Sequence, residues 1–220
     1  MNLENARIVL TGASRGLGAA LARGLAARGA HLLLVARNAD ALGDVANATG
    51  AHALAIDVGA PGGALTIAGA AQQLLGGVDA VIHNASVLGP VPLKALLDTT
   101  DEQFKEALEV NLLGPFRLTR ALAGAMALEG RGLVVHITSD AATNAYPTWG
   151  AYGVSKAGLE HLGRIWAAEL EGRGVKFLTF DPGEMDTKMH ADAMPDADPK
   201  ALARPAVVAE RLIAQLEATS

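Results

Sequence analysis

The sequence predicts an α/β protein with a single doubly wound parallel sheet of about six strands and helices on both faces. Three observations carry that prediction. Six short runs are almost continuously apolar, the pattern of strands buried on both faces rather than one. Longer Ala/Leu-rich segments of helical spacing alternate with them, and such alternation means βαβ units whose right-handed crossovers build an open sheet. The chain has 220 residues, half of them apolar and only 4% aromatic, which suits one core of small aliphatic side chains. Residues 1–220 are read as one domain, without linker or repeat.

In order, the strand candidates are "RIVLTG" (Arg7–Gly12), "HLLLVAR" (His31–Arg37), "HALAID" (His52–Asp57), "VDAVIHNA" (Val78–Ala85), "GLVVHITS" (Gly132–Ser139) and "KFLTFDPG" (Lys176–Gly183). Helices are expected over Arg15–Arg28, Ala39–Ala48, Gly63–Leu75, Thr100–Met126, Trp149–Glu171 and about Pro205–Glu217. The Thr100 helix starts well, because Thr100 and Gln103 fit a capping box. Pro115 lacks the N–H that would bond the Asn111 carbonyl, so a kink is expected there. No apolar run follows Glu217, so a seventh strand is not expected. The stretch 184–204, rich in Ala, Asp and Pro, reads as a short lid over the ligand crevice.

Composition narrows the function classes. The net charge is −5 with no basic tract, which argues against nucleic acid, since phosphate binding needs clustered Lys and Arg. With no cysteine there are neither disulfides nor thiolate zinc sites. The acidic residues Asp186, Asp192, Asp196 and Asp198 lack the spacing of a calcium loop, the histidines show no ligand spacing, and no metal site is expected. No run approaches the ~20 residues of a membrane span, and the N-terminus shows no leader pattern. A cytoplasmic protein is the expectation.

In such sheets, ligands bind beyond the carboxyl ends of the strands, so the residues ending each strand carry the chemistry. After the first comes "TGASRGLG" (Thr11–Gly18): Gly12 for the tight turn, Gly16 for close backbone approach to a pyrophosphate, Gly18 for close packing of the helix. Ser14, Arg15 and Leu17 complete that turn. The helix opening there offers free N–H groups and a positive dipole end. At the second strand's end stand Ala36 and Arg37, with no carboxylate to take a ribose 2′-hydroxyl. Arg37 and Arg15 suit a 2′-phosphate instead; for the dinucleotide that the family resemblance given next implies, NADP(H) is then preferred and NAD(H) possible. "AYGVSK" places Tyr152 one helical turn before Lys156; a neighbouring positive charge lowers a phenol's ordinary pKa of about 10.

Together, "TGASRGLG", "HNAS", Asn111 in "VNLLG", Ser139 and "YGVSK", in this order and with Tyr152 13 residues after Ser139, resemble the short-chain dehydrogenases/reductases over nearly the whole chain. The resemblance implies a Rossmann-like fold and a nicotinamide dinucleotide cofactor. It also implies catalytic roles: Tyr152 as general acid/base, Lys156 supporting it and the nicotinamide ribose, Ser139 donating to the substrate oxygen, and Asn111 holding a proton-path water. Asp57 and Val58 would meet the adenine, with a helix-capping role for Asp57 equally open. Asn84 and Ala85 would border the cofactor. Pro182 and Gly183 make the last strand's turn, and Thr187 would bind the carboxamide. His83 and Ser86 depart from the family's usual N-N-A-G.

The implied activity is reduction of a ketone or aldehyde with NADPH. A secondary alcohol dehydrogenase working oxidatively and a non-catalytic dinucleotide sensor or scaffold are the alternatives. "PGEMDTKM" and "VARNADAL" look distantly like the sepiapterin and benzil reductase branch, a hint of diketone or aromatic substrates. The family's dimers form through helices after the fourth and fifth strands, so a homodimer is expected. Tyr146 has Gly150 at i+4 rather than a lysine and reads as pocket wall, while His83 reads as a packed core residue.

Overall fold

The computed structural model describes residues 1–219. Its strands are β1 (Arg7–Thr11), β2 (His31–Ala36), β3 (His52–Ala55), β4 (Ala80–His83), β5 (Gly132–Ile137) and β6 (Val175–Phe180). All pair in parallel in the order β3-β2-β1-β4-β5-β6. The reversal of strand order falls between β1 and β4, and a crevice opens at their carboxyl ends.

Helices α1 (Gly16–Ala26), α2 (Ala39–Thr49) and α8 (Pro205–Ala218) cover one face. Helices α3 (Gly63–Leu75), α4 (Asp101–Leu108), α5 (Gly114–Glu129) and α6 (Gly150–Glu169) belong to the other. The strand pleat sorts the core between them. Ile8 and Leu10 join the α1/α8 cluster, while Val9 faces Ile67 of α3 and Leu118 of α5. The short α7 (Lys188–Ala193) lies in the lid. Both lid ends are pinned: Asp186 N–H donates to the Ala203 carbonyl and Ala203 N–H to the Glu184 carbonyl.

The expected strands are present but stop earlier than their apolar runs. Gly12, Arg37, Asp57, Asn84, Ala85, Ser139 and Pro182 all leave the sheet to build the crevice. The strand at β3 is also more exposed than its composition suggests, because it is a sheet edge. The expected single helix over Thr100–Met126 is interrupted. Its capping box is formed as expected, with Thr100 accepting from Gln103 N–H and the Gln103 side chain accepting from Thr100 N–H. One π turn over Glu109–Leu113 then separates α4 from α5, marked by Gly114 N–H donating to the Glu109 carbonyl. Pro115 cannot donate to Asn111, and the ladder answers by taking in one extra residue rather than by a simple bend.

Candidate active site

The crevice is a cleft of about 1190 Å³. Gly12, Ser14, Arg15, Gly16, Leu17 and Gly18 line it from β1 and α1; Arg37, Asp57 and Val58 from the ends of β2 and β3; Asn84 and Ala85 from β4. Ser139 enters from β5, Tyr152 and Lys156 from α6, and Pro182, Gly183 and Thr187 from the loop after β6. Of the sequence-derived site residues only Asn111 stands behind the wall, 1% exposed.

The glycine turn is shaped by missing side chains. Gly12 has φ 68°, and a Cβ there would lie 2.7 Å from Ala85 Cα. A Cβ on Gly18 would lie 2.2 Å from the Gly12 carbonyl oxygen, so Gly18 packs on the turn itself. Asn84 locks this contact, its amide donating to the Thr11 and Gly12 carbonyls at 3.0 and 3.1 Å. No side chain caps α1, so its first N–H groups remain available to an anion. Gly16, at φ 53°, has only the Thr187 side chain within 4 Å of its would-be Cβ, its methyl nearest at 3.4 Å. An uncapped helix start beside a side-chain-free approach fits a pyrophosphate. Farther out, Arg37 is 3.9 Å from Asp57 Oδ2, and both are solvent-accessible. Asp57 Oδ1 accepts from Gly59 N–H, so Asp57 also caps its own turn.

The other end of the cleft is built from side chains. Ser139 is extended at the end of β5 and caps a single 3₁₀ turn, accepting from Ala141 N–H. Its hydroxyl donates to Asp140 Oδ1 at 3.1 Å, and Tyr152 lines the same cleft. Tyr152 is 8% exposed, with Trp149 edge-on 5.6 Å away. Burial pushes its phenol up to about 12. The lowering expected from Lys156 is absent among the chain's own groups. The ammonium is 5.5 Å from the Tyr152 ring centre, where it donates instead to the Ile137 carbonyl at 2.8 Å. Burial in turn brings Lys156 down to about 8, against the raising influence of Asp181.

The Asn111 side chain is fully engaged. Its Oδ1 accepts from Val87 N–H and the Ser86 hydroxyl; its amide donates to the Val87 carbonyl and Ser155 Oγ. It therefore ties the π turn to the loop after β4 and to α6. Thr187 caps α7 by accepting from His190 N–H, which leaves its own proton free to donate into the cleft. Asp140 and Arg23 also line the cleft and escaped sequence reasoning. Arg23 lies two turns after Arg15 on α1, a spacing that could have marked it; Asp140 had no signal beyond adjacency to Ser139. Tyr146 lines the cleft as expected and donates to Asp140 Oδ2. His83 is buried and pairs with Thr119 Oγ1. Among the described residues no group of three or more potential ligands gathers for a metal, and no helix is long and apolar enough to cross a membrane.

A parallel sheet of this order, with a glycine turn at its first crossover and a Ser/Tyr/Lys set at its fifth strand, defines a dinucleotide-binding α/β protein of Rossmann type. More narrowly, the chain belongs to the short chain dehydrogenase family, whose model matches residues 6–198. It is 33% identical over 206 residues to Dehydrogenase/reductase SDR family member 7B of Bos taurus, covering 87% of this chain and 62% of the bovine protein. It is 32% identical over 192 residues to the 3-oxoacyl-(acyl-carrier-protein) reductase FabG of Escherichia coli (strain K12), covering 86% of this chain and 77% of that protein. Among solved structures it is similar to an alcohol dehydrogenase from Thermococcus sibiricus complexed with 5-hydroxy-NADP. That match has 31% identity and a TM-score of 0.83, covering 96% of this chain and 89% of the other.

Proposed function

We propose that this protein is a cytoplasmic, NADPH-dependent reductase of ketones or aldehydes. The observation that supports this reading best is that Ser139, Tyr152 and the buried Lys156 all line a cleft that the glycine turn also lines. When bound, a reduced nicotinamide dinucleotide supplies the hydride. The chain's residues do the rest. The turn and the open start of α1 hold the pyrophosphate, Thr187 the carboxamide, Lys156 the ribose, and Asp57 and Val58 the adenine. Ser139 donates to the substrate oxygen and fixes its position. Tyr152 gives that oxygen a proton, and its burial keeps the phenol protonated until then. The chain's similarity to a structure holding an NADP analogue agrees with the NADP assignment, as do Ala36 and the two guanidiniums of Arg15 and Arg37.

Trp149 and Tyr146 on the substrate side suit an aromatic or diketone substrate, the class hinted at by the sepiapterin-like and benzil reductase-like segments. A homodimer through α4, α5 and α6 is part of the proposal, supported by the exposed apolar Val154 and Ile165 on α6. Light scattering checks it: a monomer mass at working concentration rejects the dimer.

The activity is tested by following NADPH and NADH oxidation over a panel of aromatic aldehydes, ketones and diketones, with NADP⁺ and secondary alcohols in parallel. The expected result is carbonyl turnover with NADPH at least about tenfold better than NADH in kcat/KM. Cofactor binding by fluorescence without turnover in either direction would overturn the enzyme reading in favour of a sensor.

A further inference from the structure

We propose that Asp140 selects the substrate: the cleft prefers ketones that carry a hydroxyl on the carbon next to the carbonyl. This rests on the reductase reading, and in particular on Ser139 donating to the carbonyl oxygen. It ranks the ketones of that class by what stands beside the reacting group.

Asp140 follows Ser139 directly and lines the same cleft. Its main chain is pinned: the Asp140 carbonyl accepts from Thr143 N–H at 3.0 Å, Asn144 N–H at 2.9 Å and the Thr143 hydroxyl at 3.1 Å. Its carboxylate is held by two donors. Tyr146 gives its phenolic proton to Oδ2 at 2.7 Å, and Ser139 gives its hydroxyl proton to Oδ1 at 3.1 Å. Tyr146 therefore holds the carboxylate with Oδ1 turned to Ser139. Trp149 backs this wall, edge-on to Tyr146 with ring centres 6.4 Å apart and edge-on to Tyr152 at 5.6 Å. The result is a fixed acceptor directly beside the proposed carbonyl donor.

A serine hydroxyl has one proton to give. Ala141 N–H donates to Ser139 Oγ at 3.2 Å, and the Ser139 proton rests on Asp140. To serve a carbonyl oxygen, Ser139 must withdraw that proton from Oδ1. A plain ketone gives nothing back, and the carboxylate must turn to water. A ketone with a hydroxyl on the neighbouring carbon returns a proton in exchange. With both its oxygens on one side, they stand a hydrogen-bond length apart, which matches the 3.1 Å between Ser139 Oγ and Asp140 Oδ1. The carbonyl then accepts from Ser139 while the hydroxyl donates to Oδ1, a charge-assisted bond. A second carbonyl at that carbon, as in a diketone, would set an acceptor against the carboxylate. Asp140 is solvent-exposed, so water meets part of the loss, and the discrimination is about tenfold rather than the far larger factors of a sealed site.

The test compares α-hydroxyacetophenone with α-methoxyacetophenone, whose ether oxygen keeps the electron withdrawal but has no proton to give. The readout is the ratio of their kcat/KM values with NADPH, which does not depend on how much of a preparation is folded. The parent should favour the hydroxy ketone by about tenfold. Asp140→Asn keeps the size of the side chain. Tyr146 holds the amide oxygen at the Oδ2 position, so the amide nitrogen stands where Oδ1 was, and a donor faces the substrate. The ratio should then fall to about one or below. A parent ratio near one, a parent that reduces other ketones but not the hydroxy ketone, or an Asp140→Asn ratio equal to the parent's overturns the proposal. Failure of the reductase reading looks different: the parent then consumes NADPH with no carbonyl compound at all, and the ranking falls with it.

Discussion

The two ends of the cleft are made rigid by different means. The end between β1, α1 and β2 is shaped by backbone. Its decisive positions are glycines whose Cβ atoms would strike Ala85 or the Gly12 carbonyl, and its side chains, Arg15, Arg37 and Asp57, reach outward into solvent. The end between β4, β5 and α6 is shaped by buried polar side chains. His83, Asn111, His136, Ser155 and Lys156 are all at most 3% exposed, and Tyr152 is 8%. A backbone cradle recognises what every dinucleotide shares. A buried side-chain network sets proton affinities, and it pays for that in desolvation: Tyr152 is driven up, Lys156 and both histidines down. The comparison predicts that damage to the second end should cost chemistry and acid stability, while damage to the first should cost cofactor recognition.

Lys156→Ala is expected to have the largest effect, because its ammonium is assigned to both ends. Turnover should drop on the order of 10²-fold and NADPH affinity should fall with it. Steady-state kinetics with fluorescence titration check this, and a variant that loses only one of the two breaks the assignment. Acid should loosen the side-chain end next. Burial brings His136 down to about 4, against roughly 6.5 in an unfolded chain. A lowered folded pKa means the unfolded state binds more protons between those values. Stability is therefore complete above about pH 6.5 and declines as pH falls toward 4, by up to about 3 kcal/mol from this residue. Urea titrations across that window should show the slope, and His136→Leu should flatten it; parallel slopes in both proteins would remove His136 as the cause.

At the backbone end, Ala36→Asp with Arg37→Leu should reverse the cofactor preference, from at least about tenfold for NADPH to a preference for NADH. A double variant that still favours NADPH would contradict the role given to Arg37. The smallest effect belongs to Pro115→Ala. An added N–H should draw the π turn back toward α geometry and pull Asn111 against its Val87 and Ser155 contacts. Turnover should fall several-fold with the fold intact by circular dichroism; unchanged turnover would make Pro115 structural only.

The same contrast explains what the sequence could tell. The glycine turn and the strands were legible because backbone geometry leaves a local pattern: three glycines at fixed spacing, and apolar runs of strand length. Pro115 marked where the helix must break, but whether it bends or takes in a π turn depends on what packs against it. The effect of Lys156 on Tyr152 was misjudged because spacing on a helix says nothing of burial, or of the Ile137 carbonyl that claims the ammonium. The Ser86–Asn111–Ser155 hydrogen bonds draw on three separate segments, and Asp140 had only its neighbour to recommend it. Neither leaves a local motif to read.

The most direct measurement of the division between the two ends is a paired one on Tyr152→Phe: turnover of a good carbonyl substrate, and NADPH affinity, in the same preparation. The ring stays and only the phenolic hydroxyl is lost. The predicted result is turnover lower by about 10²-fold or more with NADPH affinity within a few-fold of the parent. Near-normal turnover, or affinity and turnover falling together, would contradict it.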